Sequence, residues 1–229
     1  MHVIINGTSS ETLQGLQVLS LPPITKPRMR TSVATIDGRP GDIVTKLGYE
    51  AYDRKIRVLL HHTYDLEAIE SFFNSSGTII FSNEPNRVYK FETIAAFGFE
   101  RAVKFKTADI TFHVQPYKTK NPAESQTISG SSATVTNTGN TTSAPKLRIN
   151  GSGTVTINID GSQAFVITMP SGGIVIDSEA LDAYAGNNLA NRSVTGSYEK
   201  LWLSPGSHTI SRSGGSVSSM VIENASRWI

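Results

Sequence analysis

Asp177, Glu179 and Asp182 are the residues of this 229-residue chain whose types and spacing come nearest to chemistry. Asp177 and Glu179 stand two apart on an expected strand, which would turn both carboxylates to one face, and paired carboxylates hydrolyse glycosides when correctly separated across a sugar. Sequence spacing does not set that separation, and a solvated turn has the same composition. The five histidines, His2, His61, His62, His113 and His208, are scattered. His61 and His62 are adjacent on a strand and would point to opposite faces, the wrong arrangement for chelating one metal. The chain has no cysteine, hence no thiolate nucleophile, disulfide framework or Cys-bearing zinc site. No G-x-S-x-G elbow, H-E-x-x-H or P-loop pattern is present. These residues point to no catalytic centre, metal or cofactor. Tyr198, Trp202 and Trp228 could stack on sugar rings or fill a core or interface. Tyr198 and Trp202 are therefore the candidates for a partner or sugar contact.

Contact chemistry is richer between Ser32 and His62. Val33, Ile36, Ile43 and Val44 flank Gly38-Arg39-Pro40-Gly41, which must be a loop tip or bulged bend, because two glycines and a proline do not fit inside a regular element. Ile56, Val58 and Leu60 then alternate with Arg57 and Leu59. Lys46, Tyr49, Tyr52, Arg54 and Lys55 fall in a segment that should be extended. A projecting arm carrying Tyr, Arg and Lys has the composition of a contact surface rather than a catalytic cleft. The candidate interface residues are Arg39, Tyr49, Tyr52, Arg54 and Lys55.

The elements that position these residues are read from patterning. The chain is long enough for one large or two ordinary domains. With 38% hydrophobic and 17% charged residues and 19 glycines, it has the composition of strands joined by tight turns. A net charge of +2 is too small to argue for a nucleic-acid binder or an anionic-membrane partner. The N-terminus lacks the apolar run of a signal peptide, and no stretch approaches a membrane span, so no membrane insertion is expected.

In chain order, Val3-Ile5 reads as a strand closed by Asn6-Gly7, and Pro22, Pro23 and Pro27 force an extended path through Lys26, Arg28 and Arg30. One helix is expected, with Asp65 as N-cap, Leu66, Ile69, Phe72 and Phe73 on one face, and Gly77 ending it. Thr78-Phe81, Val88-Ile94 and the alternation at Ile110, Phe112 and Val114 read as strands, with Pro116-Tyr117 closing the unit. The breaker-rich segment 119–132 reads as a linker between a domain at 1–118 and another at 133–229. In the second, Val155, Ile157 and Ile159 alternate before an Asp160-Gly161 hairpin turn, and Phe165, Ile167 and Met169 alternate after it. A β-sandwich is the economical architecture there.

The order Ile4-Ile5-Asn6-Gly7, Ile36-Asp37-Gly38-Arg39-Pro40-Gly41, a single helix, Ile80-Phe81-Ser82 and Gln115-Pro116-Tyr117 resembles the N-terminal domain of siphophage distal tail (Dit) proteins. The second half is similar to the C-terminal domain of the longer form of that family, through Val135-Thr136-Asn137-Thr138-Gly139-Asn140, Pro145, Ile149-Asn150-Gly151-Ser152-Gly153, Ile159-Asp160-Gly161, Ile176-Asp177-Ser178-Glu179, Leu203-Ser204-Pro205-Gly206 and the terminal Arg227-Trp228-Ile229. The resemblance implies a mainly β chain, with an N-terminal β-sandwich or split-barrel domain bearing one short helix and a galectin-like C-terminal β-sandwich. It implies a homohexameric ring in the virion tail tip, assembled in the bacterial host cytoplasm. That ring would join the tail tube protein above to the tail-associated hub or lysin protein below, carry receptor-binding proteins, and let DNA pass without specific binding. Two other classes remain open: a carbohydrate-binding adhesion module and a glycan hydrolase. The residue constellation with which galectins hold galactosides is not found at matching spacing.

Overall fold

Alternation with a period of two decides which residues face the interior along the long core strands of this chain. The computed structural model describes residues 1–102 and 105–229. The chain divides into two compact units, Met1–Lys118 with Ile229, and Thr119–Trp228.

The first part of the chain forms strands β1 (Val3–Ile5), β2 (Thr8–Ser9), β3 (Leu16–Ser20), β4 (Met29–Thr35), β5 (Asp42–Tyr49), β6 (Tyr52–Leu60), β7 (Gly77–Phe81), β8 (Arg87–Ile94), β9 (Glu100–Ala102) and β10 (Phe105–Lys120). Among the described residues, eight of these make one sheet in the order β2-β1-β7-β8-β10-β6-β3, with β9 paired to β10. Ile56, Val58 and Leu60 of β6 lie opposite Ile110, Ala108 and Lys106 of β10. The alternating residues Ile56, Val58, Ile110, Phe112 and Val114 are fully buried, with Phe81 and Phe91 packed among them. Each such side chain contributes about 1.5–3 kcal/mol by leaving water.

Helix α1 (Leu66–Phe73) is the only α-helix among the described residues. Asp65 caps it by accepting a hydrogen bond from the Ala68 amide at 3.1 Å, and Ile69 and Phe73 are its buried face. It stops at Asn74 rather than at Gly77. Gly77 instead opens β7 with φ of 136°, where a Cβ would fall 2.1 Å from the Asn6 amide oxygen. The glycine is required by that close approach, not as a helix stop. Pro116 and Tyr117 likewise do not end their strand, which runs on to Lys120.

The second part contains β11 (Ser125–Thr127), β12 (Ser132–Asn137), β13 (Lys146–Ser152), β14 (Thr154–Ile159), β15 (Ser162–Thr168), β16 (Ile174–Asp177), β17 (Asp182–Ala185), β18 (Asn188–Leu189), β19 (Val194–Gly196), β20 (Gly206–Ser213) and β21 (Ser216–Glu223). They form two sheets, β11-β21-β13-β16-β17-β18 and β12-β20-β14-β15-β19. Leu147, Ile149, Ile176 and Ile222 of one sheet share a core with Val155, Ile157, Phe165 and Ile210 of the other, which makes this unit a β-sandwich. Asp160 and Gly161, both at positive φ (50° and 79°), turn β14 into β15 with Ile159 opposite Ser162, the two-residue primed hairpin expected of Asp-Gly. Within the segment read as a linker, Ser125–Thr127 is paired with β21 at Thr127–Val221 and its neighbours. The expectation of a mainly β chain with one short α-helix holds.

Candidate assembly interface

Strands β4 and β5 pair with each other and with no other strand among the described residues. Their ribbon extends about 23 Å at the usual rise per residue. Gly38 and Gly41 (φ 78° and 79°) form its tip, where the Arg39 amide donates to the Ile36 carbonyl at 3.1 Å. Toward the root, Thr31 pairs with Lys46 but Arg30 pairs with Gly48, so Leu47 is an extra, bulged residue. Both faces of the ribbon are largely in water. Val33 and Val44, opposite one another, are each 56% exposed, and Leu47 (55%) and Ile36 (49%) are exposed elsewhere on the ribbon. A two-stranded hairpin is marginal on its own in water, and exposed aliphatic side chains on such a ribbon make it the candidate contact surface of the first unit.

The five expected contact residues do not gather into one patch. Arg39 stands exposed at the ribbon tip. Tyr49 lies at the root, edge-on to Tyr117 with ring centroids 6.3 Å apart and with the Lys26 ammonium 5.5 Å from its ring. Lys55 is exposed on the outer face of the eight-stranded sheet, where it pairs with Asp109 at 2.7 Å, beside the Arg57–Asp109 pair at 2.9 Å. Those two cations hold the Asp109 carboxyl below its usual range. Tyr52 is half-buried and its hydroxyl has no hydrogen bond among the described residues.

Arg54 corrects the sequence expectation. It is 1% exposed, because the period-two alternation that buries Ile56 and Val58 carries inward past Arg54 as well. Its guanidinium lies 4.9 Å from the Tyr89 ring and 5.1 Å from Phe81, and its three nitrogens find no hydrogen-bond partner among the described residues. Nearby, the buried Lys118 ammonium pairs with Glu84 at 3.0 Å, and the Tyr89 hydroxyl donates to the same carboxylate. Burial and that carboxylate push the Tyr89 hydroxyl's pKa upward. A cation stacked inside an aromatic core is a structural group, not a surface contact.

In the sandwich, the carboxylates singled out by sequence are structural. Asp177 is 5% exposed; one of its oxygens accepts the Glu179 and Ala180 amides at 3.0 and 3.1 Å, and the other receives Lys146 at 2.7 Å and the Tyr184 hydroxyl at 3.1 Å. Glu179 lies beyond the strand end and pairs with Arg227, and Asp182 accepts from the Asn191 amide at 2.9 Å. No group of three metal-ligating side chains occurs among the described residues.

Tyr198 is partly buried against Phe165 at 6.1 Å, and its hydroxyl donates to Asn191. Trp202 is different: it is 44% exposed and lines a groove of about 330 Å³ together with Asp160, Lys200 and His208. The hairpin was legible in the sequence as a contact arm, with Val33 and Val44 flanking its turn, but the residues expected to make the contacts were its Tyr, Arg and Lys and not these valines. The signal was present in the absence of any partner strand whose alternation could bury them.

No protein-family model matches the sequence, and no curated protein matches it. Among solved structures the chain is similar to SPP1 Dit, described as a paradigm of the hub adsorption apparatus in phages that infect Gram-positive bacteria. The two are 16% identical, with a TM-score of 0.70 over 100% of this chain and 99% of that one. The phage P2 baseplate in its activated conformation with Ca overlaps more loosely, at 9% identity and a TM-score of 0.46 over 93% of this chain and 91% of that one. The first likeness is one of fold, and it runs the whole length of the chain. The family resemblance carried by the order of short motifs is matched by that shared fold.

Proposed function

We propose that this chain is a structural hub protein of a siphophage or prophage tail tip. Six copies form a ring that joins the tail tube to the tail-associated hub protein, and the ring has no catalytic role of its own. Residues 1–118 form the ring, and residues 133–229 form a galectin-like sandwich that carries receptor-binding proteins. The observation that carries this reading is the β4–β5 ribbon, which pairs with no other strand among the described residues and exposes Val33, Val44 and Leu47, set in a fold shared end to end with SPP1 Dit.

A cyclic ring needs a heterologous interface, in which one patch meets a different patch on the next copy and the rotation closes. A ribbon with two free edges and apolar faces suits that geometry: backbone groups along an edge set the register, and the valines supply buried area. A junction that bears load should bury on the order of 1,600 Å² in total. The mixed charges of the ribbon, with Arg30, Arg39 and Lys46 against Asp37 and Asp42, favour docking on a surface of mixed sign. Negative-stain images of the purified chain test the proposal. Annular particles with six-fold symmetry are expected, and particles that remain single, even after addition of the tube and hub partners, would refute it.

A further inference from the structure

The groove beside Trp202 has the composition of a small-ligand site rather than of a protein-docking face. Its volume of about 330 Å³ falls at the lower end of the range for ligand clefts, roughly 300–1,000 Å³. It has room for one or two sugar-sized rings. Ile159 and Ala164, both buried, supply an apolar floor.

The Trp202 ring forms a wall and is held in place from two sides. Its flanking residues Leu201 and Leu203 are fully buried, and its Nε1–H donates to the Ser178 carbonyl at 3.0 Å. An indole that keeps 44% of its surface in water while its position is fixed is a preorganised platform.

The polar groups around it are also fixed. Asp160 accepts the Thr209 amide at 2.8 Å on one oxygen and meets His208 Nδ1 at 2.7 Å on the other, and each oxygen retains a lone pair. The other nitrogen of His208 meets the Ser204 carbonyl at 2.9 Å, so the ring is clamped from both ends. Lys200 Nζ donates to the Gln163 carbonyl at 2.9 Å and keeps two further N–H groups. The Ser162 hydroxyl is exposed at the first position of β15.

This combination selects among ligand classes. Asp160 is matched by His208, which leaves Lys200 as one charge at the rim, too little to select a polyanion or a polycation. The groove is too open and too polar at its rim for a purely apolar ligand. A pyranose ring matches both halves, with a C–H face that packs on an aromatic plane and hydroxyl edges that both donate and accept. We infer that the Trp202 groove binds one or two pyranose rings of an oligosaccharide, with the indole against the sugar's apolar face and Asp160, Lys200 and Ser162 serving its hydroxyls. The site is complete within one copy of the sandwich, so it stands whether or not the chain forms a ring.

Saturation-transfer NMR on the full chain tests this, using glucose, galactose and N-acetylglucosamine and their disaccharides as probes. Transfer is expected to at least one of them, strongest at ring C–H protons. Trp202→Ala should weaken binding about tenfold or more, the loss of about 1.4 kcal/mol of contact energy. Ser162→Tyr plugs the groove from an exposed position and should abolish binding with the melting temperature unchanged, which separates loss of the site from loss of the fold. Absence of transfer to every probe, or equal binding by the Ser162→Tyr chain, overturns the inference. So does a Trp202→Ala chain that binds sugar normally and fails only to hold a protein partner.

Discussion

At the scale of single residues, two cations, Arg54 and Lys118, are buried in the first unit among the described residues, with the Glu84 carboxylate that serves Lys118 and Tyr89. Removing one partner of a buried pair leaves an uncompensated charge, whereas replacing a desolvated cation by an apolar side chain of similar shape is often neutral or stabilising. Glu84→Gln is therefore expected to destabilise the first unit by about 3 kcal/mol, read by hydrogen exchange of its peptides in rising urea. Arg54→Met keeps the stem between Tyr89 and Phe81 and should leave stability equal or higher. A large loss from Arg54→Met with little from Glu84→Gln would reverse this account of the core.

Among the titrations of the second unit, those of His208 and Asp177 have opposite sign. For His208, burial pulls the pKa down, but the Asp160 carboxylate and the Ser204 carbonyl outweigh it and raise the value. Its contribution to stability is fully present below about pH 6.5 and is lost as pH rises through the folded value. Burial pushes Asp177 up, but Lys146, the Ala180 amide and the Tyr184 hydroxyl hold it below the usual carboxylate range. Its contribution is present above about pH 4 and is lost as pH falls through the folded value. Both tryptophans, Trp202 and Trp228, lie in this unit, so fluorescence-detected melting reports on it alone. The melting temperature should be highest between about pH 4 and pH 6.5. His208→Gln should flatten the alkaline side and, because His208 is the main group holding the Asp160 carboxyl down, weaken the acid slope as well; an alkaline slope that survives the substitution would assign it to another group.

At the scale of elements, the cap of α1 gives a direct test. Asp65→Ala should destabilise the helix by about 1 kcal/mol, seen as faster amide exchange from Leu66 to Phe73. The helix and its cap were legible in the sequence because capping and a 3.6-residue period are local, and the Asp160-Gly161 hairpin was legible because two positive-φ positions in a row admit few residues. The end of the helix was misread because Gly77 is explained by Asn6, more than seventy positions away in sequence. Arg54 was misread because a single polar residue at an inward position looks the same in sequence whether it stacks in a core or projects into water. The clamp on His208 by Asp160 and Ser204 joins residues from separate turns, and no spacing rule reports it. For the ribbon, the amides from Met29 to Tyr49 should exchange slowly in the assembled protein and quickly in a dissociated variant, since two strands alone hold their hydrogen bonds poorly.

At the scale of the whole molecule, the proposed assembly turns on the exposed valines of the ribbon. Val33→Asp with Val44→Asp places two like charges opposite one another on a surface meant to be buried, without touching either core. The decisive measurement is the absolute mass in solution by light scattering, over a wide concentration range, for the wild-type chain and for this double variant. Six times the 24.7 kDa of the chain is expected for the wild type and a single folded copy for the variant. A wild-type chain that stays at 24.7 kDa throughout, or a double variant that assembles as the wild type does, would contradict the proposed assembly.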